Sequence, residues 1–331
     1  MPPQPSSSRA LAAILPQIEA GFAYEAHQKA RTFASRYVKA NQRAVAAEVL
    51  FESARALLKA GQQGSGTDLT VFLIEVWEGA DLGVNDDTRG KLTQLIALVG
   101  PGGSWRKTIL DRSISWSSKA GDYPCGDPQI LHYAGELLHK EGSYPEAEPY
   151  LLTAGKRDSA RLLATVFTDW AAATGTSQDL GPFALRGVIP YLEASNVLAA
   201  RAFVTALRPP NAITTTVGET GDDIWSLPGT TDRPLIFAQL AVLLCQRGRP
   251  ARESWQRLYG TYQARGELIA NPEVRKSILN LSSIYFGVAP PRAAGNPFGD
   301  ILSGLFGGPP AAAGNARASA GRIVDRSPGL D

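Results

Sequence analysis

Few residues of this chain are of the types that do chemistry, and their spacing limits what they could do. The three histidines are His27, His132 and His139. His132 and His139 stand two helical turns apart and could share a face, but no carboxylate completes a third ligand position, so the pattern of a metal centre is not built. Cys125 and Cys245 lie far apart without CxxC spacing. They read as small buried residues of a chain kept in a reducing, cytosolic setting. Gly64-Ser-Gly-Thr67 has the flavour of a phosphate loop, yet it lacks the Gly-Lys-Ser/Thr ending and follows a helix instead of a strand. It reads as a turn between helices, with Thr67 or Asp68 capping the next one. Asp222-Asp223 falls in a turn-rich stretch, and no Gly-x-Ser-x-Gly elbow is present. Nothing assembles a nucleophile, a base and an orienting group. The chain is therefore expected to be no enzyme and to use no cofactor.

Recognition chemistry is better represented. At about 100° per residue of α-helix, Phe22, Ala26, Ala30, Phe33 and Tyr37 fall on one stripe, the predicted core face of a second helix. Tyr24, His27, Arg31 and Ser35 fall nearly opposite. Tyrosine and arginine together are enriched where proteins bind one another. A partner surface is one reading, and a face covered by neighbouring helices is the other. Glu48, Glu52, Arg55 and Lys59 form a stripe on a third helix. It is either a solvated row of i,i+3 and i,i+4 pairs or, if it adjoins Arg31, part of a basic-aromatic patch. Near the end, Phe298, Ile301, Leu302, Leu305 and Phe306 recur at helical spacing. Such an element docks either on its own chain or on a partner.

The elements that must position these groups are almost all helical. Helices are predicted from about residue 9 to 21, then 22–40, 43–60, 68–82, 86–99, 104–120, 128–140, 144–154, 159–173, 182–207, 234–246, 250–269 and 272–287, with Gly, Pro, Asn or Asp at the breaks. Short links make successive helices antiparallel, and a long run of such pairs gives a solenoid. Gly142-Ser-Tyr144-Pro-Glu-Ala147 and the looser Gly21-Phe-Ala-Tyr24-Glu-Ala26 echo a tetratricopeptide repeat. The interruption is 211–233, where Thr214-Thr-Thr-Val217 and Ile224-Trp-Ser-Leu227 flank a turn-rich centre, a hairpin signal. The fold class is thus all-α, a right-handed, tetratricopeptide-like α-solenoid with a small β-hairpin insertion in its C-terminal half. The expected organisation is a disordered start (1–8), an N-terminal solenoid half (9–155), a C-terminal half (156–288) holding the hairpin insert, and a mostly disordered tail (289–331) with an apolar element at 296–308.

Composition removes other classes. Apolar residues make up 44% and charged residues 19%, with a formal net charge of +2. No bulk field attracts nucleic acid or an acidic membrane. The most apolar stretch, residues 69–77, is broken by Glu75 and is far short of the roughly 20 residues of a membrane span. The start has no basic-then-apolar signal pattern, so a cytosolic protein is expected.

Several motifs together carry a resemblance. Tyr24-Glu-Ala-His-Gln28, Arg31-Thr32 with Arg36-Tyr37-Val38, and Gly64-Ser-Gly-Thr-Asp-Leu69 with Leu73-Ile-Glu75-Val76 resemble the Golgi to ER traffic protein four family, the scaffold subunit of the guided entry of tail-anchored proteins pathway. Gly126-Asp-Pro128, Leu131-His132, Tyr144, Glu146-Ala-Glu148, Asp158-Ser159 and Ser303-Gly-Leu-Phe-Gly-Gly308 extend it. The likeness runs from about residue 9 to 308 and is loose from about 175 to 290. It implies an adaptor without catalysis that helps deliver tail-anchored membrane proteins to the endoplasmic reticulum. In that role the N-terminal half holds the targeting ATPase, through Tyr24, His27, Arg31 and Arg36 with Asp68 nearby. Ala23 stands where relatives carry an aromatic, so that contact differs here. The C-terminal half would hold a ubiquitin-like-domain partner linked to an upstream co-chaperone, for which Ile224 and Trp225 of the hairpin and Phe298, Leu302 and Phe306 of the tail are the candidate contacts. A helical scaffold subunit of another cytosolic complex is the alternative.

Overall fold

The computed structural model describes residues 7–101, 103–217, 222–264 and 271–288. The tail contacts expected at Phe298, Leu302 and Phe306 lie outside the described residues. Fourteen α-helices occur among them: α1 (Ser8–Glu19), α2 (Ala23–Lys39), α3 (Arg43–Lys59), α4 (Gln63–Gly79), α5 (Asp86–Leu98), α6 (Trp105–Ala120), α7 (Pro128–Lys140), α8 (Tyr144–Ala154), α9 (Arg157–Ala173), α10 (Gly181–Glu193), α11 (Val197–Leu207), α12 (Arg233–Arg247), α13 (Arg252–Gln263) and α14 (Pro272–Phe286). Strands β1 (Ile213–Val217) and β2 (Asp222–Ser226) form the hairpin. Helices α1, α3, α5, α7 and α9 pack on one another in succession, and α2, α4 and α6 do the same in a second layer. This two-layer stacking is the α-solenoid that short links between antiparallel helices require.

Local signals explain most boundaries. Asn85 caps α5 with a reciprocal pair: its side chain accepts from Thr88 N, and Thr88 Oγ1 accepts from Asn85 N. Asp127 caps α7 by accepting from Gln129 N and Ile130 N, with Pro128 at the first position. Gly155 and Gly287 close α8 and α14 in the left-handed region. Ser7 occupies the cap position of α1, which begins at Ser8.

Three expectations are corrected. Gly64-Ser-Gly-Thr67 is no turn: it is the first turn of α4, which begins at Gln63. The reason is tertiary. A methyl at Gly66 would fall 2.5 Å from Leu58 Cγ and Cδ2, so glycine is needed for α4 to close on α3. The predicted helix 182–207 is two, because Ser195 takes φ 58° and Asn196 starts α11 by accepting from Ala199 N. Asn196 Nδ2 also donates to Gly155 O at 2.6 Å, which ties that turn to the end of α8. Finally, Phe22 is 57% exposed and precedes α2 with non-helical backbone, so the core stripe of α2 is Ala26, Ala30 and Ala34. Phe33 and Tyr37 are half-buried and stack at 6.5 Å. Three alanines let α2 lie close to α1, α3 and α4 at once.

The buried residues form two clusters. One spans α1 to α7, from Ala10 to Ala134, and the other runs from Ala147 in α8 to Phe286 in α14. Helices α7 and α8 pack together across the junction, with Leu138 touching the second cluster and Tyr150 the first. No helix among the described residues is long and apolar enough to cross a membrane.

Candidate functional site

The outer face of the α2–α4 layer gathers most of the candidate recognition residues. On α2, His27 and Arg31 are one turn apart, and Asp68 faces them from the second turn of α4. His27 Nε2 donates to Asp68 Oδ2 at 2.7 Å, and Arg31 Nη1 donates to the same oxygen at 2.5 Å. The Arg31 guanidinium also lies 5.3 Å from the centre of the Phe72 ring, one turn beyond Asp68. Burial opposes the charge on Asp68, but the two hydrogen bonds and the Arg31 charge outweigh it, so the carboxyl is held below its ordinary value. Arg31 and Asp68 stay partly open to solvent, their side chains 44% and 43% exposed. Tyr24, about two turns before Arg31 on the same side, is 70% exposed and contributes nothing to the core.

The structure thus joins His27, Arg31 and Asp68 and leaves Tyr24 beside them. Arg36 is separate: it lines the groove between α1 and α2 with Ala13, Lys29 and Phe33. The helical turn explains the split, since Arg36 lies about 140° around α2 from Arg31. Phe72 was not singled out from the sequence. Its signal was its spacing of four from Asp68, along the ridge Gly64, Asp68, Phe72. The Glu52 and Arg55 stripe of α3 does not join Arg31. Arg55 pairs with Glu52 and covers Phe51, whose ring is also met by Lys91 of α5 at 5.7 Å.

The other histidines are spent on packing. His132 Nδ1 lies 2.9 Å from Ser159 Oγ, and His139 Nε2 donates to Asp169 Oδ2 at 2.7 Å, so both tie α7 to α9. Burial pushes the His132 pKa down. No group of three metal-ligating side chains occurs among the described residues. Cys245 is buried and its thiol pKa is pushed up to about 12 by that burial, whereas Cys125 is exposed, contrary to the expectation that both are buried.

In the C-terminal half, Ile224 and Trp225 are buried instead of presented to solvent. Gln239 of α12 pairs with the Trp225 backbone, its Oε1 accepting from Trp225 N at 2.9 Å and its Nε2 donating to Trp225 O at 2.8 Å. These two side chains therefore fasten β2 to the helices. The exposed strand is β1, where Ile213 stands open opposite Ser226. The hairpin thus leaves β1 open to solvent and buries Ile224 and Trp225 of β2.

Comparison with known proteins agrees with this architecture. The family model described as Golgi to ER traffic protein 4 matches residues 40–306. A relative from Aspergillus fumigatus, Golgi to ER traffic protein 4, is 30% identical over 313 residues, covering 88% of each chain. The Homo sapiens Golgi to ER traffic protein 4 homolog is 25% identical over 88% of this chain and 84% of its own length. Among solved structures, a crystal structure of C. therm. Get4 aligns with a TM-score of 0.77 at 32% identity, covering 95% of this chain and 99% of that one. With the matched segment taking in most of both solenoid clusters, the chain belongs to the Golgi to ER traffic protein 4 family.

Proposed function

We propose that the chain is a non-enzymatic adaptor in post-translational delivery of tail-anchored membrane proteins to the endoplasmic reticulum, working in the cytosol. It bridges the targeting ATPase, bound on the α2–α4 face, and a ubiquitin-like-domain partner, bound by the C-terminal half. The observation that carries the ATPase assignment is the joined His27, Arg31 and Asp68 beside the exposed Tyr24. A paired, half-exposed arginine flanked by an aromatic is the composition of a binding hot spot, not of a solvated face. Because Asp68 holds both the His27 ring and the Arg31 guanidinium in place, the face is organised before a partner arrives, which reduces the ordering cost of association. Arg36 contributes from the rim.

On the opposite half, the β1 edge and Ile213 offer the ubiquitin-like partner an apolar contact that the buried Ile224 and Trp225 support from below. Affinity capture of the full chain from native cytosol tests both assignments. A tail-anchored-client ATPase and a ubiquitin-like protein should co-purify, and substitution of Tyr24 and Arg31 should release only the first. Loss of both, or of neither, would count against this division of labour.

A further inference from the structure

Trp105 is the one exposed tryptophan among the described residues, with 43% of its surface open. It opens α6, the next helix of the same layer as α2 and α4. Its ring is held between two glycines. A methyl at Gly64 would lie 3.5 Å from Trp105 Cη2 and Cζ2, and one at Gly103 would lie 3.6 Å from Cδ1. Gly64 is on the first turn of α4, one turn before Asp68, so the indole rests within a helical turn of the His27, Arg31 and Asp68 cluster. Because no side chain intervenes at Gly64, the ring lies close against the start of α4 while 43% of the residue stays open to solvent. A large aromatic fixed in this way loses little conformational freedom on binding, and tryptophan, tyrosine and arginine are the residue types most enriched in hot spots. Tyr24, Arg31 and Trp105 supply all three along one face.

We propose that Trp105, seated on Gly64 and Gly103, is a second anchor of the ATPase-binding face and extends it from α2 and α4 onto α6. This rests on the assignment of that face to the targeting ATPase. The sharpest test labels only this chain with 5-fluorotryptophan and follows its fluorine spectrum while unlabelled ATPase is added. The resonance of residue 105, assigned by its absence in Trp105→Phe, should shift or broaden while those of the buried tryptophans stay put. In titrations, Trp105→Ala should weaken the ATPase by about thirty-fold, the scale of a hot-spot truncation, with Trp105→Phe losing less. An unmoved resonance, or affinity of Trp105→Ala within about two-fold of the parent chain, overturns the anchor. Arg31→Gln, titrated alongside, separates the two levels. If Arg31→Gln weakens the complex and Trp105→Ala does not, the anchor is wrong and the face stands. If neither does, the face itself is wrongly assigned.

Discussion

Replacing Arg31 by Gln separates a binding role from a structural one. The substitution keeps length and polarity, removes the charge that meets Asp68 at 2.5 Å, and withdraws the cation from Phe72. Both groups of the pair are over two-fifths exposed, so the ion pair is worth about 0.5 kcal/mol to folding. The cation–π contact, similarly open, adds about 0.5–1 kcal/mol. The expected loss of about 1–1.5 kcal/mol lowers the melting temperature by about 2 °C for a chain of this size. Binding should respond far more, by about thirty-fold in the ATPase dissociation constant.

Two controls sharpen the experiment. A double-mutant cycle with Asp68→Asn should show a coupling of about 0.5–1 kcal/mol in folding stability. The acid dependence has a definite sign. The Asp68 pKa is lowered in the folded chain relative to its ordinary 3.8. Its contribution is therefore fully present above that ordinary value and is lost as pH falls through the folded-state value. The stability gap between parent and Arg31→Gln should close over that acidic window, because the protonated carboxyl no longer needs the guanidinium. Isothermal titration and thermal melts read both quantities. Affinity within about two-fold of the parent would refute the recognition role, and a melting temperature lowered by more than about 10 °C would show Arg31 to be a structural lock.

Other substitutions probe the supports. Gly66→Val drives a side chain into Leu58, and overpacking together with β-branching should cost about 2–3 kcal/mol in thermal or denaturant unfolding. Asn196→Ala removes both the cap of α11 and the bond to Gly155 O, and should destabilise by about 1–2 kcal/mol, with faster amide exchange at Ala199. Gln239→Leu strands the buried Trp225 N–H and C=O, costing about 2–4 kcal/mol. The hairpin amides should then exchange faster, and the ubiquitin-like partner should weaken while ATPase affinity holds; an unchanged exchange rate at Trp225 would refute the clamp.

The helical class, the solenoid and the hairpin were legible in the sequence because each rests on local physics. Apolar residues recur at the helical period, Gly and Asn mark turns, and threonine-rich β-prone runs flank a polar centre. Helices α7 and α8 were predicted with the boundaries they have, since Asp127-Pro128 and Gly155 are strong start and stop signals. The resemblance motifs named Tyr24, His27, Arg31 and Asp68 as one group, and the structure brings His27, Arg31 and Asp68 into contact with Tyr24 exposed beside them. Other features required the partner helix. Glycines at 64 and 66 read locally as a turn, but they are helical because Trp105 and Leu58 occupy the space their side chains would have taken. The break at Ser195 looked like continuous helix because propensity varies by only a few tenths of a kcal/mol across such residues, whereas the bond from Asn196 to the neighbouring turn decides it. Ile224 and Trp225 carried no sign that both would be buried, since alternation along a strand sends neighbours to opposite faces and only the surrounding packing decides whether each face is covered. The ion cluster itself, with Asp68 between His27 and Arg31, exists only once α2 and α4 lie side by side: residues 37 and 41 apart in the chain share one oxygen atom because the layer brings them there.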